Sequence, residues 1–250
     1  MESAIAHLGA LIERFLQANS PAPTPSLRDA SQVLGLVLIA ALVLVGNHYL
    51  LSPLSIYLTG LSGSALADPQ RILWALLLAV GYALPPLLYC RLTLPDARAA
   101  LGLTRTRLRT AAAIWLGFAV LTVPLLVLLS MLPSFQAIYP MARGNSGDPL
   151  SMALWLVAYG LQFVGLEVFF RGFLVLAPRR ILGVWGLGLM LLPYTMLHFQ
   201  KPILESLGSI GFGLLLGVLA LRTRSIVEGI GVHLIVAYTL EVLGAVRSLS

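Results

Sequence analysis

Two charged residues lie inside one long apolar run of the sequence, at residues 165–173. Glu167 and Arg171 are four residues apart, so they share one face of a helix and can form an ion pair. A charged side chain within a membrane span costs roughly 2.5–3.5 kcal/mol on insertion scales. The pair therefore marks either a site in a water-filled cavity or a structural ion pair that locks one helix to its neighbours. The run alone does not decide between the two.

The composition is that of a membrane protein. Hydrophobic residues make up 58% of the 250 residues and charged residues only 10%, against about 25% charged residues in an average soluble domain. We therefore predict an all-α polytopic membrane protein. The 16 Lys and Arg residues against 10 Asp and Glu residues are in this setting a signal of topology. Basic patches interleaved with aromatic residues are absent, and we expect no nucleic-acid partner.

Apolar segments of about 20 residues predict seven transmembrane helices in one bundle. Residues 1–18 alternate apolar and charged side chains at helical spacing, which predicts an amphipathic helix that lies on the membrane or caps the bundle. A Pro-rich linker follows at residues 20–26. Residues 1–29 thus precede a single bundle of residues 30–250. The predicted spans are 30–51, 72–92, 110–132, 150–175, 182–198, a Gly-rich segment ending at 222–224, and 226–243.

The basic residues predict the orientation of this bundle. With seven spans and the N-terminus inside, 12 of the 16 Lys and Arg residues fall on the inner side and 4 on the outer side. That distribution follows the positive-inside rule. We therefore expect a multi-pass protein with a cytoplasmic N-terminus.

Two histidines from other predicted spans fall near the depth of Glu167. At a rise of about 1.5 Å per residue, Glu167 lies roughly 12 Å, His233 roughly 14 Å and His198 roughly 16–18 Å from the inner edge of the membrane. A single buried histidine more often bonds a backbone or hydroxyl group than does chemistry. Ionisable groups inside a membrane are nevertheless rare and usually mark function. We therefore predict that these three residues surround one hydrated cavity.

Three motifs in the C-terminal half of the chain carry a family resemblance. LEVFFRG at residues 166–172 is similar to a Glu-Glu-x-x-x-Arg motif, YTMLH at 194–198 to Phe-x-x-x-His, and HLIVA at 233–237 to His-x-x-x-Asn. In this order and spacing the motifs resemble the CAAX protease and bacteriocin-processing family (CPBP, also called Abi or type II CAAX proteases) of intramembrane endopeptidases. The resemblance covers about residues 150–245, and with the composition it favours the bacterial inner membrane.

The resemblance implies peptide hydrolysis in which a carboxylate, helped by a histidine, activates water. It also implies that a second histidine and an asparagine stabilise the oxyanion, while the second Glu of the first motif pairs with Arg. No cofactor is required. Zinc is the less favoured option, held by the same three residues, because no His-Glu-x-x-His pattern is present. The candidate catalytic residues are Glu167, His198 and His233, with Arg171, Tyr194 and Glu205 in support.

Two positions depart from the family pattern. Leu166 occupies the place of the water-activating Glu, and Ala237 occupies that of the oxyanion Asn. Glu167 must then either pair with Arg171, which makes it a poor base, or act as the base itself. Three further polar residues could support a rearranged site, or could be a helix-contact amide, an outer-loop charge and an inner-interface charge: Gln162, Glu205 and Glu228, respectively.

Two functions are consistent with these residues. The first is an intramembrane endopeptidase that acts on a membrane-associated protein or peptide within the lipid bilayer, and the retention of both histidines favours it. The alternative is a catalytically degenerate, protease-like protein that serves as a peptide-binding, immunity or scaffold factor, and the loss of the first Glu and of the Asn favours that. A transporter is less favoured, because the sequence shows no internal repeat.

Overall fold

The protein is helical throughout the part that the structure, a computed structural model, describes: residues 2–21, 24–59, 68–104, 106–141 and 149–248. No β-strand occurs in these residues. Helix α1 (Glu2–Ala18) is followed by α2 (Leu27–Gly46), which continues through a π-helical turn (Asn47–Leu51) into α3 (Ser52–Thr59). The remaining helices are α4 (Asp68–Thr93), α5 (Ala97–Ala100), α6 (Leu108–Leu129), α7 (Pro133–Gln136), α8 (Pro149–Glu167), α9 (Arg179–Leu182), α10 (Gly186–Met196), α11 (Ile203–Thr223) and α12 (Val227–Ser248).

Six helical segments of the described ranges are long and apolar enough to cross a membrane. The chain is thus an all-α, multi-pass membrane protein, as the composition predicted. The predicted count of seven spans is not confirmed. The six segments are Leu27–Leu58, Pro69–Thr93, Leu108–Leu129, Pro149–Leu176, Ile203–Thr223 and Val227–Ser248.

The count differs at the predicted fifth span, residues 182–198. The chain there forms the short helices α9 and α10, which are joined by a 3-10 turn (Gly183–Trp185). Gly183 adopts a left-handed conformation with φ 52°, and a Cβ at this position would overlap the carbonyl oxygen of Asn19. The eleven residues of α10 rise about 16 Å, roughly half of a hydrocarbon core about 30 Å thick. The apolar composition of the segment does not reveal this break.

The C-terminal end of α1 is fastened to the turn between α9 and α10. The backbone N–H of Val184 donates to the carbonyl oxygen of Asn19 at 2.9 Å. Arg224, which follows α11, donates to the side-chain oxygen of Asn19 at 3.3 Å. The predicted amphipathic helix therefore has a defined attachment to the transmembrane bundle.

The core of the bundle surrounds the second half of the fourth span. After Glu167, the last residue of α8, the helix widens into a π-helical segment (Val168–Leu176), and all nine of its residues are buried. A helix that is apolar on nearly all sides must be enclosed by other helices, and here α2, α4, α10 and α11 pack against it. Because π-helical turns often occur at functional sites, the change of helix type directly after Glu167 points to this region.

Gly165 allows α8 to pack tightly against α4, and this contact is testable. A Cβ at Gly165 would lie 2.6 Å from the carbonyl oxygen of Ala79, whereas a Cβ at Gly208 on α11 would meet nothing within 4 Å. We expect Gly165→Ala to lower the apparent melting temperature of the detergent-solubilised protein, because overpacking costs about 1–3 kcal/mol. Gly208→Ala should leave it unchanged or raise it, since Ala favours a helix more than Gly does. Equal melting temperatures for the two variants would contradict the close α4–α8 contact.

Candidate functional site

Four polar side chains from three parts of the bundle meet in the core. Glu167 ends α8, Arg171 lies in the π-helical segment, Tyr194 lies on α10 and His233 lies on α12. All four are buried, and the exposed fractions of Glu167 and Arg171 are both 0%. We call this set the polar ring.

The contacts among the four residues of the polar ring form a closed loop. Oε1 of Glu167 lies 3.0 Å from a terminal nitrogen of Arg171 and 2.6 Å from Nδ1 of His233. Nε2 of His233 lies 3.0 Å from the hydroxyl of Tyr194. The guanidinium carbon of Arg171 in turn lies 4.3 Å from the centre of the Tyr194 ring, a cation–π distance.

The chemistry of the partners assigns the protons in the polar ring. A carboxylate has only acceptors, so Nδ1 of His233 carries the proton that faces Glu167. Nε2 is then an acceptor, and the hydroxyl of Tyr194 donates to it. The N–H groups of Arg171 are not well aligned with the carboxylate oxygens, so the contact between Arg171 and Glu167 is held by charge more than by hydrogen-bond direction. Both nitrogens of His233 are thus engaged.

A glycine on α12 lets the helix backbone approach Glu167. A Cβ at Gly229 would overlap Oε2 of Glu167 and lie 2.9 Å from its carboxyl carbon. Gly229 lies four residues before His233 and therefore on the same face of α12. One helix face thus supplies both the space for the carboxylate and the imidazole that meets it.

Aromatic side chains separate the polar ring from its surroundings. The ring of Phe163 stacks on His233 with centroids 5.2 Å apart, and Phe212 meets His233 edge-on at 5.3 Å. Phe170 meets Tyr194 edge-on at 5.3 Å. Since charges interact more strongly where water is excluded, this wall strengthens the Glu167–Arg171 attraction.

His198 lies one helical turn beyond Tyr194, after the end of α10, and is half-buried. Its Nδ1 lies 2.8 Å from the carbonyl oxygen of Tyr194, which can only accept, so Nδ1 donates. The lone pair of the ring is therefore on Nε2, which makes no hydrogen bond within the described residues. The hydroxyl of Ser206 donates to the carbonyl oxygen of His198, and the backbone N–H of Lys201 does so at 2.9 Å. The turn that carries His198 is thus fixed on both sides.

The structure joins Glu167 and His233 directly, and it links His198 to them through Tyr194. A hydrated cavity around all three, as the sequence predicts, is not seen: Glu167 is fully buried. Two cavities stand out in the described part of the chain, and neither is lined by the three residues. One, of about 20 Å³, lies between α2, α4 and α9, and the other lies near Phe135 and Tyr139.

The donor set does not fit a zinc ion. Within the described ranges, no group of three or more His, Cys, Asp or Glu side chains is arranged to hold a metal ion. His233, moreover, has both nitrogens in contact with protein groups. We derive no step through a metal, and a reaction without any cofactor stays a prediction.

Glu205 lies in a second polar cluster, away from the polar ring. Its carboxylate accepts a hydrogen bond from the hydroxyl of Tyr139 at 2.9 Å and lies 3.8 Å from Nζ of Lys201. Nζ of Lys201 donates to the hydroxyl of Tyr139 at 2.9 Å. Burial lowers the pKa of Lys201 and raises that of Tyr139. In the described residues no hydrogen bond or ion pair joins Glu205 to the polar ring, so Glu205 supports the turn of His198 from its far side.

The two residues that differ from the family motifs, Leu166 and Ala237, both pack against apolar groups. Leu166 contacts the main core that contains the π-helical segment. Ala237 is buried with Trp155 and Tyr159. Neither position can therefore supply a polar group to the polar ring.

The other polar residues considered from the sequence lie in separate places. Glu228 is buried and accepts a hydrogen bond from Thr106. Gln162 is buried one turn and a half before Glu167, and its side-chain oxygen has no hydrogen-bond partner in the described residues. Glu241, which the sequence reasoning did not use, is fully buried and accepts from Trp155 at 2.8 Å. Glu241 follows His233 by eight residues, and this spacing in the sequence already indicates that the two side chains lie on a similar face of one helix.

Arg171 can be tested as the partner of a buried carboxylate. We expect Arg171→Met to lower the free energy of unfolding by about 3–5 kcal/mol, because the Glu167 charge is left without its counterion. The double variant Glu167→Leu/Arg171→Met removes both charges and should be closer to the wild type. The melting temperature in one detergent measures both effects, and Arg91→Met, at an exposed arginine of α4, is the matched control. If Arg171→Met and Arg91→Met melt alike, the pair does not stabilise the bundle.

The comparisons with known proteins agree with the position of this site. Residues 148–239 match the family model of the Rce1-like type II CAAX prenyl endopeptidases. No curated protein matches the chain, and no solved structure does. The matched residues contain Glu167, Arg171, Tyr194, His198 and His233. By this match, residues 148–239 of this multi-pass membrane protein are similar to the CAAX protease family, which makes that part of the chain protease-like.

Proposed function

We propose that this chain is an intramembrane endopeptidase that hydrolyses a peptide bond of a membrane-associated protein or peptide. One observation carries the proposal: a buried, closed polar ring fixes Tyr194, whose carbonyl oxygen holds His198 with a free Nε2. A half-buried imidazole with an open lone pair, held in one tautomer, is the arrangement that a general base requires.

His198 is the residue that we propose to activate water. Nε2 of His198 takes a proton as the water oxygen attacks the carbonyl carbon of the substrate. The tetrahedral intermediate then collapses, and the protonated His198 gives that proton to the leaving amine. This cycle returns His198 to its neutral form, and every proton is accounted for.

Glu167 acts in this proposal as a positioning residue. Its side chain has no exposed surface, so substrate water does not reach it, and its carboxylate is already opposed by Arg171 and His233. Glu167 sets the tautomer of His233, His233 holds the hydroxyl of Tyr194, and Tyr194 holds His198. Of the two roles that the sequence left open for Glu167, the geometry favours the partner of Arg171.

A second function is favoured by the apolar environment of two motif positions. Leu166 and Ala237 lack the carboxylate and the amide of the family pattern, and both pack against apolar groups. On that basis the alternative is a peptide-binding, immunity or scaffold protein without catalysis, in which the polar ring locks α8, α10 and α12 together. The experiment below separates the two functions.

The surroundings of the site are part of the proposal. On the seven-span topology predicted from the sequence, the arginine excess supports a cytoplasmic N-terminus, and the family resemblance supports a bacterial inner membrane. A membrane-associated peptide would reach His198 from the side of the turn between α10 and α11, because that side of the residue is the half-exposed one.

The proposed base is tested by a histidine substitution. We expect the wild-type chain in liposomes to cleave members of a defined mixture of membrane-anchored peptides, read out by mass spectrometry. His198→Gln should reduce cleavage at least roughly 100-fold, because general-base catalysis contributes about that much. His48→Gln is the matched control, since His48 is exposed and lies outside the matched residues. If the wild type binds peptides but cleaves none, the non-catalytic function holds.

The role of Glu167 is tested by the pH dependence of the rate. We expect Glu167→Gln to lower kcat/KM by less than His198→Gln does, and to keep the rise of kcat/KM with pH, because that rise reports the deprotonation of the base. The measurement is the peptide-cleavage rate across pH for variants that melt as the wild type does. A Glu167→Gln variant that is as inactive as His198→Gln at every pH would make Glu167 the base.

A further inference from the structure

A partly open, apolar crevice lies at the end of the bundle where the chain leaves the fourth span. Val33 and Leu36 of α2 form one wall, Tyr89 of α4 forms a second, and Ile181 of α9 forms a third. Its enclosed volume is about 20 Å³, which a single water would fill. The crevice is therefore a shallow, partly open depression with mostly apolar walls, too small to enclose a compact ligand.

Two exposed arginines border this crevice. Arg28 lies four residues before Gln32, which lines the crevice, so both occupy one face of α2. Arg180 directly precedes Ile181 in α9. Both guanidinium groups act electrostatically on the carboxylate of Asp29.

The positive charge at this end is not compensated by protein carboxylates. Arg179 lies beside Arg180 and Arg224, and burial together with these neighbouring guanidinium groups lowers the pKa of Arg179. Among the described residues, none of the arginines 28, 179, 180 and 224 forms an ion pair with a carboxylate. The carboxylate of Asp29, next to Arg28, is already used as a helix cap and accepts from the backbone N–H of Ser26 at 2.8 Å.

Helix α1 lies at this end of the bundle. Its apolar residues Leu11, Ile12 and Leu16 are exposed, as expected for a helix that lies in the interface with its apolar face toward lipid. The end of α1 is fastened through Asn19 to Val184 and Arg224. Arg28 lies one residue inside the start of the first candidate span and Arg180 four residues beyond the end of the fourth, so both flank the ends of membrane-length helices, where lipid phosphates lie in a bilayer.

We propose that this crevice and its two bordering arginines bind one anionic phospholipid, with the phosphate on Arg28 and Arg180 and an acyl chain along Val33, Leu36 and Tyr89. Guanidinium groups form paired hydrogen bonds with phosphate oxygens. The apolar walls are what distinguishes a lipid from free phosphate as the occupant. The proposal does not depend on peptide hydrolysis.

The test is lipid binding to the full chain in detergent, measured by native mass spectrometry. Phosphatidylglycerol and phosphatidylcholine with identical acyl chains are titrated separately. We expect the wild type to prefer phosphatidylglycerol and the variant Arg28→Gln/Arg180→Gln to bind it roughly tenfold more weakly, with phosphatidylcholine unaffected. Val33→Phe fills the crevice and should weaken the binding of both lipids.

Arg91→Gln is the matched control, because Arg91 is an exposed arginine near the same end of α4, two residues from Tyr89 and so on a different face of the helix. Arg28→Lys/Arg180→Lys keeps the charge and should retain the lipid preference, which separates binding from misfolding. The proposal is overturned if the wild type binds both lipids equally or if Arg91→Gln weakens binding as much as the double variant. The proposal is also contradicted if inorganic phosphate displaces phosphatidylglycerol, or if Val33→Phe binds both lipids as tightly as the wild type does. Either result would show that the acyl chain does not occupy the crevice.

Discussion

The buried charge of Glu167 is the constraint on which the centre of this bundle depends. An ion taken out of water costs several kcal/mol even after the protein relaxes, unless opposite charges and hydrogen bonds offset the loss. Arg171 and His233 approach Oε1 of Glu167 at 3.0 Å and 2.6 Å and supply that offset. His233 then needs a donor for its other nitrogen, and Tyr194 provides one. The relative positions of α8, α10 and α12 thus follow from satisfying one carboxylate.

The backbone meets this constraint with small residues and a change of helix type. Gly229 removes the Cβ that would overlap the Glu167 carboxylate, and Gly165 removes the one that would overlap α4. Directly after Glu167 the helix widens into the π-helical segment, whose residues are all buried. The aromatic rings of Phe163 and Phe212 then close around His233. Close packing and a low local dielectric act together here, because the same contacts that fill the core also strengthen the ion pair.

The residues that differ from the protease motifs affect which side chain of the site is accessible to water. With Leu166 in the apolar core, the only carboxylate of the first motif is Glu167, and that group is enclosed. Nε2 of His198, which has no hydrogen bond within the described residues, lies just after the end of α10, and Nδ1 of the same ring is bonded to the carbonyl oxygen of Tyr194. Glu205 and Lys201 hold the far side of that turn through Tyr139. With Leu166 at the first motif position, the half-buried imidazole of His198 is more accessible than the enclosed carboxylate of Glu167.

The sequence by itself determined the membrane class, the helical fold and the residue types at the site. Apolar runs of span length identify membrane helices, and the i, i+4 spacing of Glu167 and Arg171 correctly predicted their contact because it lies within one helix. The approach of His233 to Glu167 was predicted only as a shared depth. Spacing along the chain could not predict that Glu205 lies apart from the polar ring. It also could not predict that the fifth predicted span is broken at Gly183, or that the hydroxyl of Tyr194 meets His233. Those features were decided by the tertiary structure, because each depends on the separation and rotation of different helices, which are set by packing and by the need to satisfy a buried charge.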